Sequence, residues 1–257
     1  MENENIIYEQ PLNEQIRLCM RFEYLFAQVD YYLHKKSEWD FRQIVSTLLE
    51  ILNITDRPDL KNKLGQVLTQ HATILSQLKK SPNVDKDKLR DILSQINVLM
   101  DGLRHNIQKP GQILRENEFL NAIQQRLHTP AGTCGFSLPS YHLWLKQDSK
   151  IIKAKLLEWR ETFQQILELT QIILNLTRKH TDFKKDVKAT NGFYQANLEA
   201  NTNYQMIRIR MTEERNLFPE ISVGRHRLAI HFFSIDINGK ATQITDDVIF
   251  ELACCKI

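Results

Sequence analysis

Four cysteines, eight glycines and seven prolines among 257 residues exclude several kinds of protein at once. Cys19, Cys134, Cys254 and Cys255 show no CxxC spacing, and the adjacent pair Cys254 and Cys255 would point to opposite faces of a strand. That rules out a disulfide framework and a zinc ribbon. Sparse glycine and proline argue against long disordered linkers and against a loop-rich, all-strand protein. No run approaches the roughly 18 apolar residues of a membrane span. The richest, Ile166 to Leu176, is broken by Glu168, Gln171 and Asn175. The opening MENENIIYEQPLNEQ has neither a basic start nor an apolar core, so no signal peptide and no membrane insertion are expected, and the cytoplasm is the expected compartment. Charge of one sign is also lacking: 34 basic and 31 acidic side chains leave a formal +3. Any electrostatic function must then come from local segregation of charge, and a general nucleic-acid binder would be more basic. Walker A, GxGxxG, GxSxG and HExxH motifs are all missing.

What is present is helical periodicity. From Asn13 to about His34 apolar residues recur at Leu18, Phe22, Leu25, Val29 and Tyr32, with Asn13 placed to cap. Further runs centre on Phe41 to Leu52, on Leu60 to Leu78 with Pro58 in the first turn, and on Leu89 to Leu103 after an Asp85 cap. Ser81-Pro82-Asn83 and Lys109-Pro110-Gly111 read as breaks, and Ile113 to Leu127 as one helix. The longest pattern predicts a single helix from Lys150 to Thr177, roughly 40 Å long.

After Arg178 the period changes to two. Ile207, Ile209 and Met211 alternate with Arg208 and Arg210, a half-buried strand with arginines outward. Arg227 to Ile237 and Asp247 to Cys255 read as strands, with Asn238-Gly239 as a turn. Ile6 to Glu9 is extended, stops at Pro11, and must pair with the C-terminal strands to be stable. The expected class is α+β: a mostly α-helical bundle domain over 12–177, and a smaller antiparallel β-domain built from both chain termini, 1–11 and 178–257.

Chemistry is thin. Thr133-Cys134-Gly135-Phe136, near His128 and His142, faintly resembles the surroundings of a nucleophilic cysteine, but a third polar residue to orient the pair is missing. A small buried cysteine in a loop is the simpler reading. His226 and His231, five apart, would lie on opposite faces of a strand and cannot share a metal. No metal, cofactor or catalytic residue is expected. Cations offer more. Arg17 and Arg21 project from one helix face, off the apolar stripe. From Arg178 to His231 ten basic side chains face six acidic ones, among them Arg208, Arg210, Arg225 and Arg227. Such a patch suits an acidic peptide, held by bidentate arginine contacts. It also suits nucleic acid, with Tyr204, Phe232 and Phe233 for stacking. Composition and spacing alone leave both open.

Several separated blocks resemble the ZapD family of cell-division proteins. They are Tyr8-Glu9-Gln10-Pro11-Leu12-Asn13-Glu14, Arg21-Phe22-Glu23-Tyr24-Leu25, Gly111-Gln112-Ile113-Leu114-Arg115-Glu116 and Phe136 to Leu145. Asn191-Gly192-Phe193-Tyr194-Gln195, Leu217 to Ser222, Arg227-Leu228-Ala229-Ile230 and Phe250 to Cys255 continue the series in order. The resemblance implies a non-enzymatic factor that forms a homodimer at the mid-cell division site. It would bind the acidic, partly apolar C-terminal tail of the tubulin-like protein FtsZ and bundle its filaments into the Z-ring. Arg21, Arg115 and His142 match family positions implicated in tail binding, with Arg17 beside them; Arg227 and His231 match positions linked to bundling, with Arg225 adjacent. At His231 the family can carry arginine, whereas an imidazole is mostly neutral near pH 7.

Overall fold

A computed structural model describes residues 5–80, 84–105, 109–179, 181–200, 202–212 and 216–257. The break expected at Ser81-Pro82-Asn83 lies outside them. Two compact units emerge: Leu18–Ile173, and Met1–Arg17 together with Leu174–Ile257.

The first unit is helical. It holds most of α1 (Glu14–Leu33), then α2 (Glu38–Thr55), α3 (Leu60–Gln77), α4 (Lys86–His105), α5 (Gln112–Arg115), α6 (Glu118–Arg126), α7 (Pro139–Trp144) and α8 (Ser149–Glu161). It also takes in the start of α9 (Gln164–Lys179). Helix α2 supplies much of the core, burying Phe41, Ile44, Val45, Leu48, Leu49, Ile51 and Leu52. Its start is fixed by a capping box in which Ser37 and Asp40 satisfy each other's backbone amides. Asp85 caps α4 by accepting from the amides of Asp87 and Lys88.

Two expected helices are each broken in two. Ile113 to Leu127 divides because the Asn117 side chain accepts from the Leu120 amide at 3.1 Å and starts α6 afresh. Lys150 to Thr177 divides at Thr162 and Phe163, whose amides bond three residues back rather than four, to Trp159 and Arg160. The Thr162 hydroxyl also donates to the Trp159 carbonyl at 2.6 Å, a local bond that tightens the turn. The apolar stripe runs through both breaks, which is why periodicity alone misses them. Pro58 stands before the Asp59 N-cap of α3, not inside its first turn.

The second unit is a pair of antiparallel sheets. Its strands are β1 (Asn5–Pro11), β2 (Lys184–Ala189), β3 (Phe193–Asn197), β4 (Tyr204–Thr212), β5 (Leu217–Val223), β6 (Arg227–Ile235), β7 (Ala241–Gln243) and β8 (Val248–Lys256). One sheet has the order β1-β4-β8-β2; the other runs β3-β6-β5, with β7 also on β6. Their inner faces meet over Ile207, Ile209, Leu228, Ile230, Phe232 and Phe250. The Phe232 and Phe250 rings lie 5.0 Å apart across this core.

Strand β1 pairs with β4 along its whole length, placing Glu9 opposite Arg208. The Glu9 carboxylate accepts from Arg208 Nε at 2.8 Å and from Arg178 Nη2, near the end of α9, at 2.6 Å. Glu9 and Arg208 side chains are only 14% and 13% exposed, so this triad is well shielded. Arg210 pairs with Glu251 at 2.8 Å, and both outer-face arginines of β4 lie over the Phe183 ring. Next to the triad, Asn13 caps α1 through the Ile16 amide and donates to the buried Gln205 side chain. Replacing Glu9 with alanine takes the carboxylate from shielded Arg208 and removes one contact of Arg178. The expected loss is about 2–3 kcal/mol of unfolding free energy, toward the low end for a broken buried pair because some water contact remains. Urea denaturation of Glu9→Ala against the parent measures it, and an unchanged midpoint would show that the triad does not fasten β1.

Candidate functional site

Helix α7 is short, and its sequence faces two ways. Tyr141 is buried and stacks with Trp144 at 6.1 Å, and Trp144 in turn stacks with the buried Trp159 at 5.9 Å. Phe119 closes the cluster edge-on to Tyr141. His142 and Leu143, the two residues between, are exposed, as is Phe136 in the preceding loop. Gly135 lies against the His142 ring, where an added Cβ would come within 3.4 Å of the imidazole carbon Cγ. Phe136, His142 and Leu143 therefore expose one imidazole and two apolar side chains to solvent within one short stretch of chain.

Helix α2 locks this loop and helix in place through Arg42, a residue with no role assigned from the sequence. Its guanidinium donates to Glu38 at 3.0 Å and to the Thr133 carbonyl at 3.0 Å, and lies 4.9 Å from the centre of the Tyr141 ring. Lys146, just beyond α7, reaches the same Glu38 at 2.8 Å. Those hydrogen bonds, from Lys146 first and Arg42 second, hold the Glu38 carboxyl below the ordinary glutamate range. The i, i+4 spacing of Glu38 and Arg42 is the signal that could have marked them as a pair.

Arg115 ends α5, and its guanidinium is fully engaged. Nε donates to Asp56 at 2.6 Å, Nη2 to the Thr55 hydroxyl at 3.0 Å, and Nη1 to the Pro110 carbonyl. Gly111 makes this tuck possible: it is left-handed at φ 74°, and any Cβ there would strike Phe163 and Leu52. Arg21 is exposed on α1, and Arg17, one turn earlier, pairs with Glu14 at 2.9 Å. Among the described residues no hydrogen bond or ion pair joins Arg21, Arg115 and His142 to one another.

Arg225, Arg227 and His231 lie in the sheet unit. Arg225 is exposed in the turn between β5 and β6, where the Gly224 amide donates to the Arg227 carbonyl at 2.8 Å. Arg227 and His231 share the outer face of β6, opposite the buried Leu228, Ile230 and Phe232. The register sets Glu220 of β5 and Phe193 of β3 on either side of His231, with the Phe193 and His231 rings 4.6 Å apart. The His231 position on that face thus has a carboxylate beside it.

Comparison with known proteins shows which family the chain belongs to. A profile of ZapD, described as a cell division protein, matches residues 20–231. The chain belongs to the ZapD family. The Coxiella burnetii cell division protein ZapD is 40% identical over 254 residues, covering 98% of both chains. Its counterparts in Methylococcus capsulatus and Chromobacterium violaceum are 34% and 33% identical, covering 98–99% of each chain. Membership of the ZapD family supports a role in cell division.

Other sequence readings change with the structure. Phe232 is buried between the sheets and cannot stack on a base, and Arg178, Arg208 and Arg210 already face carboxylates. Cys134 is half-exposed rather than buried; its thiol donates to Ser137 at 3.4 Å and has no histidine partner among the described residues. No cluster of three or more metal-ligating side chains forms among the described residues, and none of their helices is long and apolar enough to cross a membrane.

Two measurements follow from this chemistry. The hydrogen bond with Ser137 lowers the Cys134 pKa, while burial pushes Cys19 up to about 12 and Cys255 up to about 11. Iodoacetamide at pH 8 should modify Cys134 well before Cys19 or Cys255, read by peptide mass spectrometry; equal rates would contradict the assigned burial. A depressed carboxyl stabilises the fold above the ordinary glutamate range and ceases to as pH falls through its lowered value. Parent stability should therefore fall more steeply than that of Glu38→Gln as pH drops from the ordinary glutamate range through the lowered value. An unaltered pH profile in Glu38→Gln would count against the assigned coupling.

Proposed function

We propose that this protein is a non-catalytic cytoplasmic adaptor that binds the C-terminal tail of FtsZ and crosslinks FtsZ filaments at mid-cell. The observation that carries the reading is the exposed stretch of α7 and its loop, where Phe136, His142 and Leu143 are all open to solvent and Gly135 lies against the His142 ring. An acidic, partly apolar tail needs hydrogen-bond donors and cations beside hydrophobic purchase; this stretch offers apolar side chains and an imidazole. Arg21, exposed on α1, supplies a cation. Arg115 acts differently: a tail carboxylate reaching it competes with Asp56, so its main contribution is to hold α5 against α2.

Bundling follows from valency. A homodimer with one tail site per protomer bridges two filaments, and repeated weak contacts along a filament add to strong avidity. Arg225, Arg227 and His231 then act in the sheet unit as a separate basic contribution to bundling. The matched arginines of β4 favour this protein partner over nucleic acid, because ion-paired cations contribute less to counterion release.

The test is co-sedimentation with FtsZ filaments, intact and lacking the tail. Pelleting that needs the tail, weakens sharply as salt rises, and falls at least severalfold for Arg21→Glu with unchanged circular dichroism is the expected result. Equal pelleting with tail-less filaments would overturn the assignment of the tail as the partner segment.

A further inference from the structure

Helix α1 carries a second pattern beneath its apolar one. Its core stripe buries Leu18, Phe22, Leu25, Phe26 and Val29. On another side Arg21, Tyr24, Gln28 and Tyr31 follow at steps of three and four, and Lys35 continues the line just past the helix end. Gln28 is half-buried and accepts from the Thr47 hydroxyl of α2, so the open members are Arg21, Tyr24, Tyr31 and Lys35. At about 100° per residue these five positions fall within one narrow strip of surface. Tyr24 is 69% exposed and Tyr31 58% exposed. A tyrosine left so open on a helix forfeits most of the burial its ring offers, and two of them two turns apart make a contact surface rather than scattered exposure. Tyrosine and arginine are also the side chains that concentrate binding energy at interfaces.

The charges are sorted on the same helix. Its acids within the helical unit, Glu23 and Asp30, lie roughly on the far side from Arg21, and Asp30 is held by a bidentate contact from Arg160 at 2.6 and 3.1 Å. Lys35 sits 4.1 Å above the Tyr31 ring, which is packed edge-on against Tyr32 at 5.2 Å. Glu38, the acid closest in sequence to Lys35, is held by Arg42 and Lys146, and Asp40 accepts from the Ser37 amide. The strip therefore has a cation at each end and two aromatic rings between them. Fourteen residues at 1.5 Å each separate the cations by about 21 Å, the reach of roughly six residues of extended chain.

We infer that the α1 strip Arg21–Tyr24–Gln28–Tyr31–Lys35 is a docking surface for an acidic peptide segment with carboxylates at both ends of an apolar stretch. Resting on the adaptor reading above, its occupant is the FtsZ tail. Tyr24 and Tyr31 set which part of the tail lies on α1, and Lys35 anchors its far end. Charge complementarity selects this occupant: the strip is basic at both ends, and its own acids are turned away or engaged.

A fluorescein-labelled FtsZ tail peptide, followed by anisotropy with the full chain, tests the inference. Tyr24→Ser combined with Tyr31→Ser should weaken binding about tenfold, with little change in that ratio as salt rises. Lys35→Glu should weaken it in a salt-dependent way, and Tyr24→Phe with Tyr31→Phe should restore most of the affinity. Both tyrosines are exposed, so circular dichroism should be unchanged throughout. Parental affinity in the double serine variant would overturn the strip while leaving the adaptor reading intact. A parent chain that fails to bind the tail would overturn both. Sedimentation showing that the serine variant loses self-association while keeping tail affinity would assign the strip to a second copy of the chain, and so overturn the inference.

Discussion

The sheet unit depends on one carboxylate. Glu9 comes from a seven-residue strand at the start of the chain, and it meets Arg208 and Arg178, far along the sequence, in a largely shielded position. A strand that short, with exposed Ile6 and Ile7, buries too little apolar surface to hold itself in place by packing alone. Seven register pairs with β4 give it backbone partners, and the Glu9 triad fixes which residues face each other. A slip by one residue would turn Glu9 to the opposite face and take its carboxylate away from Arg208 and Arg178. The Asn13 cap and its contact with Gln205 follow directly after, so the entry of α1 inherits the same register.

Beyond that triad, the molecule divides its cations into two kinds. Arg42, Arg115, Arg160, Arg208 and Arg210 are half-buried, hold carboxylates, and join segments distant in sequence. Arg21, Arg225 and Arg227 are more open, and among the described residues no ion pair engages them. A formal charge of +3 conceals this division, because the two kinds look identical in composition. The open cations are the ones with field to spare for a partner, and they are spread over both units rather than concentrated in one dense patch. Weak, salt-sensitive and multivalent association is what such a distribution favours.

Much of this was legible beforehand, for definite reasons. The change of period near Arg178 separated helix from strand, and Ile6 to Glu9 declared its need for partners by being too short to stand alone. Alternation in Ile207, Ile209 and Met211 gave the buried face of β4. The helix breaks at Asn117 and Thr162 were hidden, because a side-chain bond to a single backbone group can restart a helix while the apolar stripe continues. The triad was hidden too: pairing Glu9 with Arg178 and Arg208 requires knowing the sheet order. The exposed aromatics of α1 escaped notice since tyrosine fits an apolar periodicity equally well on either face, and only burial distinguishes them.

The sheet order carries a consequence for how the chain becomes a protein. Strand β8 lies between β4 and β2, so it is an interior strand, yet it is the last of its sheet to be synthesised. Until it is made, β4 offers one bare edge, β2 has no neighbour, and Phe250 is absent from the inner core. The helical unit faces no such delay, because Leu18–Ile173 is complete in sequence before most strands exist. Vectorial synthesis therefore presents the cell with a chain whose open sheet edges remain unprotected until the closing strand arrives. During that interval, β2 and β4 are the segments exposed to stray pairing with other chains.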